Sequence, residues 1–218
     1  MKFLSPLVSV TIDDGWKSAY TYALPLLKKH HAKATFYVIT GAFDEPHRLS
    51  RDQVRRLASI GHEIGAHTRN HLRLENVPSS REKRDQIVWC QDDLSDLGIL
   101  AETFAYPYGE YDETYKRLIK EEGFTAARSV IRGYNDRTTD KFLLRVQGIR
   151  NTTSIEEMKG WVDEVRRNSL WLILMFHQID YSNSNFATTP ELFDEILSYI
   201  NLHWVEIDVV KNIAHLLG

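Results

Sequence analysis

The stretch Leu7-Val8-Ser9-Val10-Thr11-Ile12-Asp13-Asp14-Gly15 begins as a short run rich in apolar and β-branched residues and ends in two carboxylates and a glycine. It reads as a strand that delivers charge at its carboxyl end. Helical spacing follows from Trp16 to Lys29, then a second β-rich run from Ala34 to Ile39, which together make a βαβ unit. The alternation continues along the chain. Further strands are expected at Glu63 to His67, Thr103 to Tyr106, Thr125 to Ser129, Leu143 to Ile149, Leu170 to Phe176 and Trp204 to Asp208. Helices are expected at Ser50 to Ile60, Ser79 to Leu97, Asp112 to Glu122, Ser154 to Asn168 and Pro190 to Leu202. Ser154 with Glu157 forms a capping box, and Thr189-Pro190 sets an N-cap before a proline at the first helical position. Repeated βα units imply a mainly parallel sheet. With seven or eight mostly parallel strands in 218 residues, the expected fold is α/β, a distorted (β/α) barrel forming one domain over 1–218, with a doubly wound open sheet as the alternative.

Composition narrows the class of partner. Apolar residues make up 43% and charged residues 26%, ordinary globular usage that excludes disordered and fibrous chains. A net charge of -3 supplies no basic stripe for a phosphate backbone, so nucleic acid is not an expected partner. The longest apolar run, Trp171 to Ile179, is far short of the roughly 20 residues of a membrane span. Residues 1–10 read as lead-in and first strand, leaving no room for a secretory h-region before Asp13. Cys90, the single cysteine, falls in a helix and reads as a buried thiol.

In either architecture reactive groups gather at the carboxyl ends of the strands. An Asp-Asp-Gly there is, alone, an ordinary turn. Two strands later, His67-Thr68-Arg69-Asn70-His71 places two imidazoles four residues apart at another carboxyl end. Two imidazoles and one carboxylate form a donor set for zinc or a neighbouring divalent ion that leaves one position open. Trp171 to Phe176 reads as a strand buried on both faces and delivers His177, a side chain able to act as a general acid near neutral pH. Thr103-Phe104-Ala105-Tyr106-Pro107-Tyr108-Gly109 ends another strand in an aromatic loop whose backbone N–H could face an oxyanion.

Taken in order, these segments resemble the motifs of the NodB-homology polysaccharide deacetylases, metal-dependent carbohydrate esterases, and the resemblance spans nearly the whole chain. It implies a (β/α) barrel and a carbohydrate substrate. It also implies one divalent metal ion, zinc with cobalt or nickel as alternatives, held by Asp14, His67 and His71. In the same terms Asp13 is the general base, His177 the general acid, and the Tyr108 backbone N–H supports the oxyanion. Tyr106, Pro107 and Met175 are expected to shape the substrate groove. Many members carry an arginine at the position of Ala105, paired with the base. That charge is missing here, and Arg145 on the sixth strand is the expected substitute. The carboxylate that orients the acid histidine in the family has no counterpart in the sequence; Asp163 reads as a solvated helical charge. The implied activity is removal of N-acetyl groups from an N-acetylglucosamine-containing polymer, releasing acetate. Another amide or ester on the same site, such as acetyl-xylan, a peptidoglycan sugar or a cyclic amide, and a non-catalytic glycan-binding domain are the alternatives.

Overall fold

The computed structural model describes residues 2–217. Its parallel strands are β1 (Leu7–Ile12), β2 (Thr35–Val38), β3 (Glu63–Ala66), β4 (Thr103–Ala105), β5 (Ala126–Arg132), β6 (Leu144–Gly148) and β7 (Trp171–Phe176). Each pairs with the next in sequence, and β7 returns to β1 along six residue pairs from Leu7↔Trp171 to Ile12↔Phe176. A seven-stranded barrel results. The closed barrel replaces the open-sheet alternative because β7 takes the edge of β1 that an open sheet would leave unpaired. The two-residue strands β8 (Gln178–Ile179) and β9 (Ala187–Thr188) form a separate parallel pair. At the opposite end β10 (Glu206–Ile207) pairs with Leu7 and Val8, while β2 pairs only with Thr11 and Ile12. The last strand thus fills a gap where β1 and β2 diverge.

Outside the barrel lie α1 (Leu24–Lys29), α2 (Arg51–Ser59), α3 (Ser80–Ser95), α4 (Glu113–Glu121), α5 (Ile155–Asn168), α6 (Pro190–Leu202) and α7 (Val210–Ala214). The expected first helix, Trp16 to Lys29, is instead split into a π-turn at Ala19–Ala23 and α1. Pro25 lacks the N–H needed to continue α-helical bonding at that point. The Thr189 hydroxyl accepts the Leu192 N–H as expected, and Ser154 accepts the Glu157 N–H, but Glu157 itself turns outward to Arg132. The fifth strand runs on to Arg132, its pairing with β6 shifting register between Arg128 and Arg132. Among the described residues no helix is long and apolar enough to cross a membrane.

Strand alternation sorts the core into two layers. Leu172, Leu174 and Phe176 face out and pack with the helices, whereas Trp171, Ile173 and Met175 face into the barrel. Several polar groups inside find partners: Trp171 Nε1–H donates to Ser9 Oγ at 3.1 Å, and Glu63 accepts from Thr35 Oγ1 at 2.7 Å and Thr103 Oγ1 at 2.5 Å. Glu63 also accepts the Lys211 N–H, and Thr35 Oγ1 accepts the Val210 N–H, so the barrel floor caps the start of α7. Burial pushes the Glu63 carboxyl above its usual range, with these hydrogen bonds opposing it. That end of the barrel is plugged, which leaves the carboxyl ends of the strands as the open face.

Glycine is required at Gly65, where a Cβ would lie 2.4 Å from Cε1 of the fully buried Tyr37 and 3.1 Å from Thr103 Oγ1. Neither neighbour has room to withdraw. Gly65→Ala is therefore expected to cost about 1–3 kcal/mol, the range of overpacked core sites, which lowers the melting midpoint by roughly 2–12 °C. A melting midpoint within a degree of the parent would show that the barrel interior yields more readily than its packing implies.

Candidate active site

Six strands bring functional side chains to the open end. β1 runs into Asp13 and Asp14, β3 into His67 and the loop to His71, β4 into Tyr106 to Gly109, β5 contributes Arg128, β6 leads to Arg150, and β7 ends at His177. They surround a cavity of about 410 Å³.

The loops are held in conformations that most side chains avoid. Asp14, Thr68, His71 and Tyr108 have φ of +69°, +63°, +50° and +56°. For β-branched Thr68 in particular this is a left-handed outlier that surrounding contacts must sustain. The Thr68 hydroxyl accepts the His71 N–H at 3.0 Å, while Gln86 of α3 accepts the Arg69 N–H through its carbonyl and the Asn70 N–H through its side chain. Beneath them Cys90 is buried, as its sequence position indicated. The turn at Asp14 is clamped by Arg48, which donates to the Asp14 carbonyl at 2.9 Å and stacks on Trp16.

Asp14 Oδ1 lies 3.5 Å from His67 Nε2 and 3.6 Å from His71 Nε2, and one ligand atom from each of the three residues falls within 4.8 Å of the others. Two donors about 2.1 Å from one ion at a tetrahedral angle stand about 3.4 Å apart, so the spacing suits a shared divalent cation. His67 Nδ1 contacts the Ala105 carbonyl oxygen at 2.7 Å, which requires a proton on Nδ1 and leaves the Nε2 lone pair directed at Asp14. Trp16 Nε1–H donates to the other Asp14 oxygen at 3.2 Å. Burial, then the neighbouring His67, pushes His71 down to about 4, so its ring is neutral and able to ligate at neutral pH. Burial works against ionising Asp14, but the adjacent His67 outweighs it and holds the carboxyl well below the usual range. The residues present therefore fit the metal.

Asp13 is 2% exposed, and its Oδ2 accepts from Arg128 Nη2 at 2.5 Å. Its Oδ1 is buried and has no hydrogen-bond partner among the described residues. Arg145 does not take the place expected of it beside Asp13. Leu144 and Val146 of β6 face the barrel, so Arg145 points outward into solvent, away from Asp13. The missing charge at Ala105 arrives instead from the neighbouring strand, where Arg128 is the paired residue in the β4–β5 register. Arg128 is 1% exposed; it also donates to the Ser129 carbonyl and lies over the Tyr37 ring. Sequence reasoning missed it, and the only local signal is an arginine amid small residues in Ala126-Ala127-Arg128-Ser129.

His177 Nε2 lies 4.0 Å from Asp13 Oδ2, and the His177 ring packs on Phe186 with centroids 4.8 Å apart. No carboxylate reaches its Nδ1, which is buried without a partner among the described residues. Asp163 instead bonds Arg166 and the Tyr199 hydroxyl on the outer helices, the surface role expected of it. Tyr108 is half exposed, its ring 4.5 Å from His71 and under the Arg73 guanidinium, and Met175 lines the cavity. Tyr106 reaches the cavity from an aromatic cluster with Phe104 and Tyr115, whereas Pro107 stays buried and sets the turn that presents Tyr108. Arg73, Arg150, Val130 and Phe186 complete the cavity and carry no motif that could have marked them.

Comparison with known proteins bears on the family and the fold. A family profile for polysaccharide deacetylases matches residues 2–127. A peptidoglycan-N-acetylglucosamine deacetylase of Bacillus cereus is 35% identical over 198 residues, covering 85% of this chain and 68% of that protein. The YxkH protein of Bacillus subtilis is 29% identical over 119 residues, and the match spans 54% of this chain but only 42% of that longer protein. The solved structure of a family 4 acetyl xylan esterase from Clostridium thermocellum, in complex with a cobalt ion, superposes with a TM-score of 0.71 at 22% identity, covering 96% of this chain and 91% of the esterase. At that identity the likeness speaks for the fold. With its closed parallel barrel and a profile match over more than half its length, the chain belongs to the polysaccharide deacetylase family.

Proposed function

We propose that this chain is a metal-dependent hydrolase that removes N-acetyl groups from an N-acetylglucosamine-containing polysaccharide or oligosaccharide, releasing acetate. One juxtaposition carries the reading: a buried carboxylate with one unpartnered oxygen, Asp13, stands beside the Asp14–His67–His71 donor set and 4.0 Å from His177. Asp14, His67 and His71 would hold the ion, with zinc the expected metal and cobalt or nickel the alternatives. When bound, the ion supplies Lewis acidity to the acetyl carbonyl and acidifies water.

Asp13, its Oδ2 held by Arg128, takes the proton of the attacking water on Oδ1. The Tyr108 main-chain N–H donates to the oxyanion that develops on the acetyl carbonyl. Met175 forms part of the wall beside the acetyl methyl. His177 gives its proton to the departing amine, which leaves a free amino sugar and acetate. Relatives in Bacillus cereus and Listeria monocytogenes are named as peptidoglycan-N-acetylglucosamine deacetylases, which favours an N-acetyl amide over an acetyl ester.

The test is acetate release from N-acetylglucosamine oligomers, peptidoglycan fragments and acetyl-xylan by metal-loaded protein, with and without chelator. Turnover on the N-acetylated substrates is expected, lost on chelation and restored by a divalent ion. Undiminished turnover after complete metal removal would overturn the metal-dependent reading.

A further inference from the structure

The three arginines that line the cavity differ in what neutralises them. Arg128 is paired with Asp13, and Arg73 with Glu110 at 2.6 Å. Arg150, exposed on the rim, forms no ion pair with a described residue. Its guanidinium lies over the Phe186 ring, 4.7 Å from the centroid, and that same ring packs on His177. The backbone here is fixed as well. The Arg150 N–H donates to Thr153 Oγ1, the Thr153 N–H to the Arg150 carbonyl, and the Asn151 N–H to the Asn185 carbonyl, next to Phe186.

A guanidinium stacked on an aromatic face keeps its N–H donors around the edge, where a planar carboxylate can take two of them at once. With Asp13 neutralised by Arg128, Asp14 committed to the donor set and Arg73 paired with Glu110, Arg150 is left among the described lining residues to meet a negative charge on the substrate. We propose that Arg150 binds a carboxylate carried by the polymer beside the reacting N-acetyl group, so that the substrate is an acidic amino-sugar chain rather than a neutral one. The inference rests on the deacetylase reading above. The link through Phe186 to His177 puts this carboxylate on the side where the amine departs: on the amine-bearing sugar or its neighbour.

The experiment compares metal-loaded parent protein, Arg150→Ala and Arg150→Gln on four tetrasaccharides. These are a neutral N-acetylglucosamine oligomer, one alternating N-acetylglucosamine with a lactyl-ether sugar acid, its carboxamide, and one alternating N-acetylglucosamine with glucuronate. The parent is expected to favour at least one carboxylated chain over the neutral oligomer by about tenfold in kcat/KM, mostly through KM, and the carboxamide to fall to the neutral level. Both variants should lose that preference, the fall on the favoured carboxylated chain exceeding any change on the neutral oligomer by about fivefold or more. Whichever acid is preferred locates the carboxylate on a lactyl ether or on the ring. A parent ratio near one for both acids overturns the proposal. So does an equal fall on all four substrates in the variants, the result expected if Arg150 only braces Phe186 and His177. Acetate from none of the four with the parent protein would count instead against the deacetylase reading.

Discussion

Replacing His67 by alanine is expected to abolish stoichiometric metal uptake and to lower acetate release by about a thousandfold or more, since on the proposed reading one ion would serve both the carbonyl and the water. His67 is the best-placed of the three donors. It is 3% exposed, its Nδ1 proton is taken by the Ala105 carbonyl, and its Nε2 lies 3.5 Å from Asp14 Oδ1. Asp14→Ala should behave alike. Trp16→Phe gives the graded counterpart, because it removes the Nε1–H that holds the second Asp14 oxygen while keeping the ring under Arg48. Loss of such an outer hydrogen bond typically weakens metal affinity about 10–100-fold. Elemental analysis after dialysis and calorimetric titration with zinc separate the two cases. One equivalent of metal retained by folded His67→Ala would mean that the donor set is wrongly assigned.

What the sequence made legible, and what it did not, follows from the range of the interactions concerned. Strands buried on both faces in a parallel barrel need apolar or β-branched side chains throughout, and a run such as Trp171 to Phe176 announces itself locally. The candidate donor set is legible for a related reason: Asp14 and His67 sit within two residues of strand ends and His71 in the loop that follows His67, where a βα barrel must place its reactive loops. Short elements such as α7 and the β8–β9 pair escaped notice because they exist through tertiary contacts, α7 being capped by Glu63 and Thr35 from the barrel floor. Arg128 escaped for the same reason. Its meeting with Asp13 depends on the β4–β5 register that sets it beside Ala105, a relation no sequence spacing encodes. Arg145 was within reach, since the period of two that puts Leu144 and Val146 inside the barrel puts Arg145 outside. Nor could the pattern reveal the left-handed backbone at Asp14, Thr68, His71 and Tyr108, which the packed loops impose.

The buried Asp13–Arg128 pair leads to the second large expectation, in which catalysis and stability part company. Asp13→Asn removes the proton acceptor and should lower kcat by about 10²–10⁴ while the metal content stays at one ion, because Asp13 is not among the three donors. It also leaves Arg128, 1% exposed, without a counter-charge. Arg128→Met does the converse, stranding the Asp13 carboxylate and releasing the oxygen that now fixes its direction. Breaking a buried pair from one side costs about 3–5 kcal/mol, so each single variant should melt roughly 6–20 °C lower. The double variant should recover much of that loss, since no charge is left uncompensated, yet stay inactive. Arg145→Ala, with its side chain on the outer surface, should change neither turnover nor melting appreciably. Parent-like turnover in Asp13→Asn would remove Asp13 from the base role. Parent-like turnover in Arg128→Met, with Asp13 intact, would show that the carboxylate is aimed by something other than the guanidinium, and simple additivity in the double variant would show that the two charges do not depend on each other for stability.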